Sequence, residues 1–113
     1  MTKEMSDCAG ACFDTRKTAL QTIRHCLRLA GSGGASAERL LRLLDCAQAC
    51  ETCQEACAQD APQAPMIAEA CAKLCESAAE DCGRAEDVQL RQCAEVCRYC
   101  AHVCYRVVHA VPA

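Results

Sequence analysis

The chain has 113 residues, which suits one domain (residues 1–113) with a real core and is too short for several. A formal charge of −3 and the absence of any basic stretch exclude a nucleic-acid binder. Aromatic residues make up 3% and Trp is absent, whereas Cys occurs 14 times, so sulfur takes core positions that large side chains fill elsewhere.

In chain order, the first periodic segment predicts a helix over residues 3–30. Cys8, Cys12 and Cys26 share one line on it, because 18 residues make about five whole turns. The same spacing passes through Thr15, Ala19 and Thr22, so the line continues there without sulfur. Gly31-Ser32-Gly33-Gly34 breaks this helix, and Ser36 is the expected N-cap of a second one reaching residue 59 with Cys46, Cys50, Cys53 and Cys57. The stretch from Asp60 to Pro65 is the next breaker, its proline suited to a first helical turn. A third helix follows to Cys82, where Gly83 is expected to stop it; it carries Cys71, Cys75 and Cys82, with Ala78 at the position a fourth cysteine would hold. The fourth helix is expected over residues 85–109, with Cys93, Cys97, Cys100 and Cys104, ahead of Pro112.

Cysteines spaced four, three and four apart fall within a stripe about 60° wide, because each helical residue turns about 100°. Four amphipathic helices joined by short connections predict an all-α, antiparallel up-down-up-down four-helix bundle with a cysteine-lined core. Leu20, Ile23, Leu27, Leu40, Leu44, Leu74, Val96 and Val103 are expected to flank the sulfur seams and pack neighbouring helices. Charged residues such as Arg16, Arg24, Glu51 and Lys73 lie off the stripes, as a solvated face requires.

Inert packing explains one or two buried cysteines, but Ala, Val or Leu would fill fourteen places without the oxidation risk. Disulfides within a helix are disfavoured: residues four apart have Cβ atoms about 5–6 Å apart, against about 3.5–4.5 Å for a bridge. Bridges between helices remain open on geometry. The opening Met-Thr-Lys-Glu-Met-Ser-Asp carries no apolar signal core, and no run approaches a membrane span. The expectation is a cytoplasmic protein with reduced thiols and no membrane partner.

Metal is the remaining use for so much sulfur. Soft thiolates take Cu(I), zinc or iron-sulfur clusters. Zinc with four thiolates leaves a charge of about −2 away from water, whereas Cu⁺ replacing a thiol proton leaves the core neutral. If each sulfur bridges two Cu(I) and each Cu(I) is held by two sulfurs, one ion per cysteine is the limit. Cys46-x3-Cys50-x2-Cys53 and Cys93-x3-Cys97-x2-Cys100 match the cluster motif of radical SAM enzymes, yet that motif sits on a loop of a partial α/β barrel, and a chain of this length with no strand pattern cannot build one. Spacing alone does not name the metal, so a thiolate buffer for zinc or mixed metals and an iron-sulfur redox carrier stand as alternatives. No His/acid pair accompanies a distinguishable nucleophile, and the expectation is a non-enzyme.

These residues resemble the cysteine-rich four-helix-bundle copper storage proteins, especially their cytosolic branch. The resemblance covers nearly the whole chain and rests on the Cys-x3-Cys start of helix 1, Leu-Leu-Asp-Cys-Ala-Gln-Ala-Cys at 43–50 and Cys-Ala-Glu-Val-Cys-Arg-Tyr-Cys at 93–100. It implies a tube filled with multiple Cu(I) ions through one end, all fourteen cysteines as ligands and a homo-tetramer; the expected partners are copper ions and a copper chaperone. Thr15, Ala19, Thr22 and Ala78 depart from a fully sulfur-lined tube. Antiparallel topology gathers Met5, Cys8, Cys57, Cys71 and Cys104 at one end, where the Met5 thioether could pass Cu(I) inward; a frayed terminal residue is the plain alternative. His109 lies near that end but projects off the stripe, so it joins only if the helix end unwinds. His102 points outward and His25 lies on a flank.

Overall fold

The computed structural model describes residues 1–29 and 36–110. Four helices make up almost all of it: α1 (Lys3–Arg28), α2 (Ala37–Ala58), α3 (Ala64–Gly83) and α4 (Val88–His109). The glycine-rich break at 31–34, residue 30 at the expected end of helix 1, and Pro112 lie outside the described residues.

Three helices begin where a side chain accepts from a free N–H of the first turn, and the other where a proline removes one such N–H. The Thr2 hydroxyl accepts from the Met5 N–H at 3.1 Å, Ser36 from Arg39 at 3.1 Å, and Asp87 from Leu90 at 2.9 Å. The first turn of α3 holds Pro65 and has no side-chain cap. Asp87 explains why α4 starts at Val88 rather than at residue 85: a carboxylate that caps must stay outside the helix, and 84–87 become the connection. Gly83 is the last residue of α3 rather than its stop, with Arg84 as the C-cap. After α2, Asp60 adopts a left-handed conformation (φ 53°), and the N–H groups of Asp60 and Ala61 return to the carbonyls of Cys57 and Ala56. That pattern closes the helix and turns the chain into α3.

The helices alternate in direction. The chain's amino group lies 3.7 Å from Asp60, so the start of α1 meets the end of α2. At the other end Arg39 pairs with Asp81 at 2.8 Å and His25 with Asp87 at 2.9 Å, tying the start of α2 to the end of α3 and the end of α1 to the start of α4. Every helix packs on its two neighbours, and the body measures 49 × 20 × 18 Å.

Packing between helices is done mainly by small residues. Among the described residues eleven alanines are buried, including Ala47, Ala68, Ala72, Ala94 and Ala101. The aliphatic flank expected from sequence is partly corrected: Val103 is buried and Leu20, Ile23, Leu40 and Val96 are half-buried, but Leu27, Leu44 and Leu74 are exposed. Leu43 and Leu90 take the fully buried places instead. With alanine at the contacts, neighbouring backbones come close and the outer leucines have no second layer to enter.

Because end contacts and apolar packing hold the helices without any ion, the reduced, metal-free protein is expected to give a strongly helical far-UV CD spectrum; a coil spectrum would show that metal drives folding. Asp87 gives a second expectation. Its hydrogen bond with His25, and then the Leu90 N–H, hold its carboxyl below the usual carboxylate range. A depressed carboxylate stabilises the fold above its unfolded pKa and loses that contribution as pH falls through its folded value. Thermal melts of Asp87→Asn should therefore lie below those of the parent near neutrality and converge with them in acid; parallel curves would remove Asp87 from the account.

Candidate metal centre

All fourteen cysteines are free thiols and all are buried, thirteen with no exposed surface and Cys82 with 1%. Helical winding brings each to the axis, and the contacts there run between sulfurs of all four helices. Near the start of α1, Cys8 Sγ lies 3.5 Å from Cys104 Sγ and 3.6 Å from Cys53 Sγ. Deeper in, Cys12 Sγ is 3.8 Å from Cys100 and 4.0 Å from Cys71, and Cys71 is 3.8 Å from Cys50. Further on, Cys46 is 3.6 Å from Cys75 and 3.9 Å from Cys97. The contacts of Cys12 with Cys71 and of Cys46 with Cys97 cross the bundle diagonally, so the axis is filled with sulfur rather than bordered by it.

Three groups have all their sulfurs within 4.8 Å of one another: Cys8, Cys12, Cys53 and Cys104; Cys12, Cys50, Cys71 and Cys100; and Cys46, Cys50 and Cys75. Cys12 belongs to the first two and Cys50 to the last two. The remaining five cysteines belong to none of them. Cys57 follows Cys53 by one turn on α2 and Cys97 follows Cys93 by one turn on α4, while Cys82 lies at the end of α3. Cys26 stands at the far end, where burial dominates the upward shift of its thiol.

Contact between sulfurs splits their acidities. The Cys104 contact, followed by that of Cys12, pulls the Cys8 thiol down, and neighbouring Cys82 does the same for Cys93. The Cys100 contact pushes Cys12 up, and the Cys46 contact pushes Cys97 up. Such a core holds protons in common, and a soft cation that replaces them meets sulfurs already within bridging distance.

The gap positions are filled without polar penalty. Thr15, Ala19, Thr22 and Ala78 are buried in line with the sulfurs, and the Thr22 hydroxyl donates to the Thr18 carbonyl at 2.8 Å. Met5 is not a frayed residue: it lies inside α1, only 8% exposed, one turn before Cys8. His109 is exposed and stacks on the Tyr105 ring at 6.2 Å, off the sulfur column as expected. His102 is exposed. His25 does form a pair with a carboxylate, Asp87, which sequence could not foresee across 62 residues. Its chain neighbour Cys26 is fully buried.

The sequence pattern of the copper storage protein family matches residues 1–109. The chain belongs to that family. Two solved structures share its fold. One is a crystal structure of a protein from Nitrosospira multiformis, 24% identical, superposing with a TM-score of 0.89 over 98% of this chain and 100% of that one. The other is the Cu(I)-bound copper storage protein BsCsp3, also 24% identical, with a TM-score of 0.82 over 94% of this chain and 99% of that one. No curated protein sequence matches significantly. For a copper storage protein, one feature emerges only in three dimensions: the sharing of Cys12 and Cys50 between groups.

Free thiols can be counted. Denatured without reductant, the protein purified under anaerobic conditions should react with a chromogenic disulfide reagent at all 14 cysteines, and far more slowly when native. A deficit of thiols in the denatured sample would reveal disulfides in place of the open column.

Proposed function

We propose that this chain is a non-enzymatic Cu(I) store, a single domain of residues 1–113, in which all fourteen cysteines act as ligands and the capacity approaches one ion per cysteine. The observation that carries this is the sharing of sulfurs between adjacent groups. A zinc site binds four thiolates at about 2.3 Å, placing its sulfurs about 3.8 Å apart, so each group by itself could suit zinc. Adjacent groups, however, share Cys12 and Cys50, so neighbouring ions must be bridged by thiolate. Zinc in all three groups leaves their nine sulfurs with net negative charge away from water, whereas Cu(I) exchanged one for one with protons leaves them neutral. A four-iron cluster interleaves sulfide between its irons and needs its thiolates further apart than the 3.5–4.0 Å seen here.

Family membership and the Cu(I)-bound state of the fold neighbour BsCsp3 support the same cargo. Loading proceeds from the end where Met5 precedes Cys8 on α1, with the thioether as the first soft ligand; His109 joins only after the last turn of α4 unwinds. With this go a cytoplasmic location, where thiols stay reduced, a homo-tetrameric assembly and delivery by a copper chaperone. No described helix is long and apolar enough to cross a membrane.

Competitive Cu(I) titration against a chromogenic chelator tests the proposal. Uptake should approach one Cu(I) per cysteine without visible cluster absorption, and should weaken as pH falls because thiol protons compete. Cys12→Ser should lower capacity by more than one ion and Cys26→Ser by at most one. Saturation at a few zinc ions, or iron with sulfide in the isolated protein, would replace the proposal with one of its rivals.

A further inference from the structure

Away from the sulfur column, α1 carries a second apolar line. Phe13, Leu20 and Leu27 follow one another at seven-residue steps, which keeps them within about 40° of one another and roughly 120° round the helix from the cysteines. Leu20 is half-buried, but Phe13 and Leu27 are each 55% exposed. The line lies towards α2: Arg16 pairs with Glu51 at 3.5 Å, and Phe13 and Arg16 border one groove of about 310 Å³ with Glu51, Gln54 and Glu55. Leu44 stands two turns before Glu51 and so belongs to the stripe of α2 that faces α1; it is exposed, as is Leu41 one turn earlier, at 59%. Because the two helices run in opposite directions, the Arg16–Glu51 pair places Leu27 level with Leu40 and Leu41. The wall formed by α1 and α2 thus holds a leucine patch. By contrast, α3 and α4 expose one large apolar residue at their starts, Met66 and Val88, and one further along, Leu74 and Tyr99.

Charge decides what fits this wall. Counting Lys and Arg against Asp and Glu, α1 has five basic and three acidic residues and α2 two basic and four acidic, so the wall is positive along one helix and negative along the other. Such a wall complements itself. A second copy turned by 180° about an axis parallel to the helices lays its α2 on this α1 and its α1 on this α2, and every residue keeps its height. Leu27 then comes level with the partner's Leu41, and the exposed Lys17, next to Arg16, with the partner's Glu51. The other two-fold, perpendicular to the helices, sets α1 on α1 and α2 on α2, with like charge facing like. Area suffices as well: a wall 49 Å long and 20 Å wide covers roughly 1,000 Å², against about 800 Å² per partner in a stable interface.

We propose that the α1/α2 wall is the contact between two copies of this chain, related by a two-fold axis parallel to the bundles. The inference rests on the homo-oligomeric assembly proposed above and names the face that makes it; a tetramer contains this contact twice. The leucines supply its buried centre, and Lys17, Arg24, Glu51 and Glu55 its polar rim. The axis has a consequence for the sulfur columns. Both bundles point the same way, so the Met5 ends of a pair open side by side, while α3 and α4 stay on the outside of the pair.

Light scattering coupled to gel filtration tests the face, with CD and Cu(I) capacity per chain as controls. Leu27→Glu and Leu41→Glu should each reduce the molar mass of the full chain to half or less at micromolar concentration, at unchanged helicity and capacity. Lys17→Glu should weaken association several-fold, and adding Glu51→Lys to it should restore association. Carbodiimide coupling of a mixture of isotopically light and heavy chains should yield mixed-isotope peptides that join Lys17 to Glu51. An oligomeric parent whose mass survives both leucine changes, or a double variant no better than Lys17→Glu, would overturn this face and leave the oligomer in place. Mixed-isotope links between α1 and α1 would overturn the axis. A parent of single-chain mass at every concentration would overturn the oligomer itself, and the face with it. If a leucine variant loses helicity, the Lys17 and Glu51 series, confined to exposed side chains, decides the outcome.

Discussion

Everything in this molecule depends on how closely four backbones approach one another. Sulfurs touch across the axis at 3.5–4.0 Å only because the faces between neighbouring helices are lined with alanine. Larger residues at those contacts would move the helices apart and open the column, much as overpacking strains any close-packed core. The alanines thus set the distance and the cysteines use it. Leu43, Leu90, Val103 and Val107 are among the few large buried groups.

This division of labour accounts for what could be read beforehand. The seams follow from 3.6-residue winding and needed no tertiary knowledge, so the placement of the cysteines, of Thr15, Thr22 and Ala78, and of Ser36 as a cap was visible in the sequence. The aliphatic residues were harder. Leu43 and Leu44 are adjacent, and only the rotation of α2 against its neighbours decides that Leu43 enters and Leu44 does not. The start of α4 was misplaced because Ala85 and Glu86 favour helix locally, while the Asp87 carboxylate, held by both Leu90 and His25, fixes the boundary through a contact between distant parts of the chain.

The sulfur groups themselves show the same limit. Periodicity places fourteen thiols on one axis but not the heights at which they meet. Those heights depend on the offset between helices, which the connections and the ion pairs at the bundle ends determine. The overlap at Cys12 and Cys50 is such an offset made visible. It converts three potential mononuclear sites into one continuous medium, and with it changes the kind of ion the core favours. The far end, where Cys26, Cys82 and Cys93 belong to none of the three groups, is sparser in sulfur for the opposite reason: α1 offers hydroxyl and methyl groups there.

The exterior has its own consequence. Lys3 with Asp7, Glu38 with Arg42, Glu69 with Lys73 and Glu80 with Arg84 balance charge along single helices, and none of these pairs touches the interior. Exchanging a proton for a monovalent ion alters neither the net charge nor this outer lattice. A full molecule and an empty one therefore present the same face to a passing partner. Whatever collects the contents must sense occupancy through the exchange equilibrium itself, since the surface carries no signal of how much lies within.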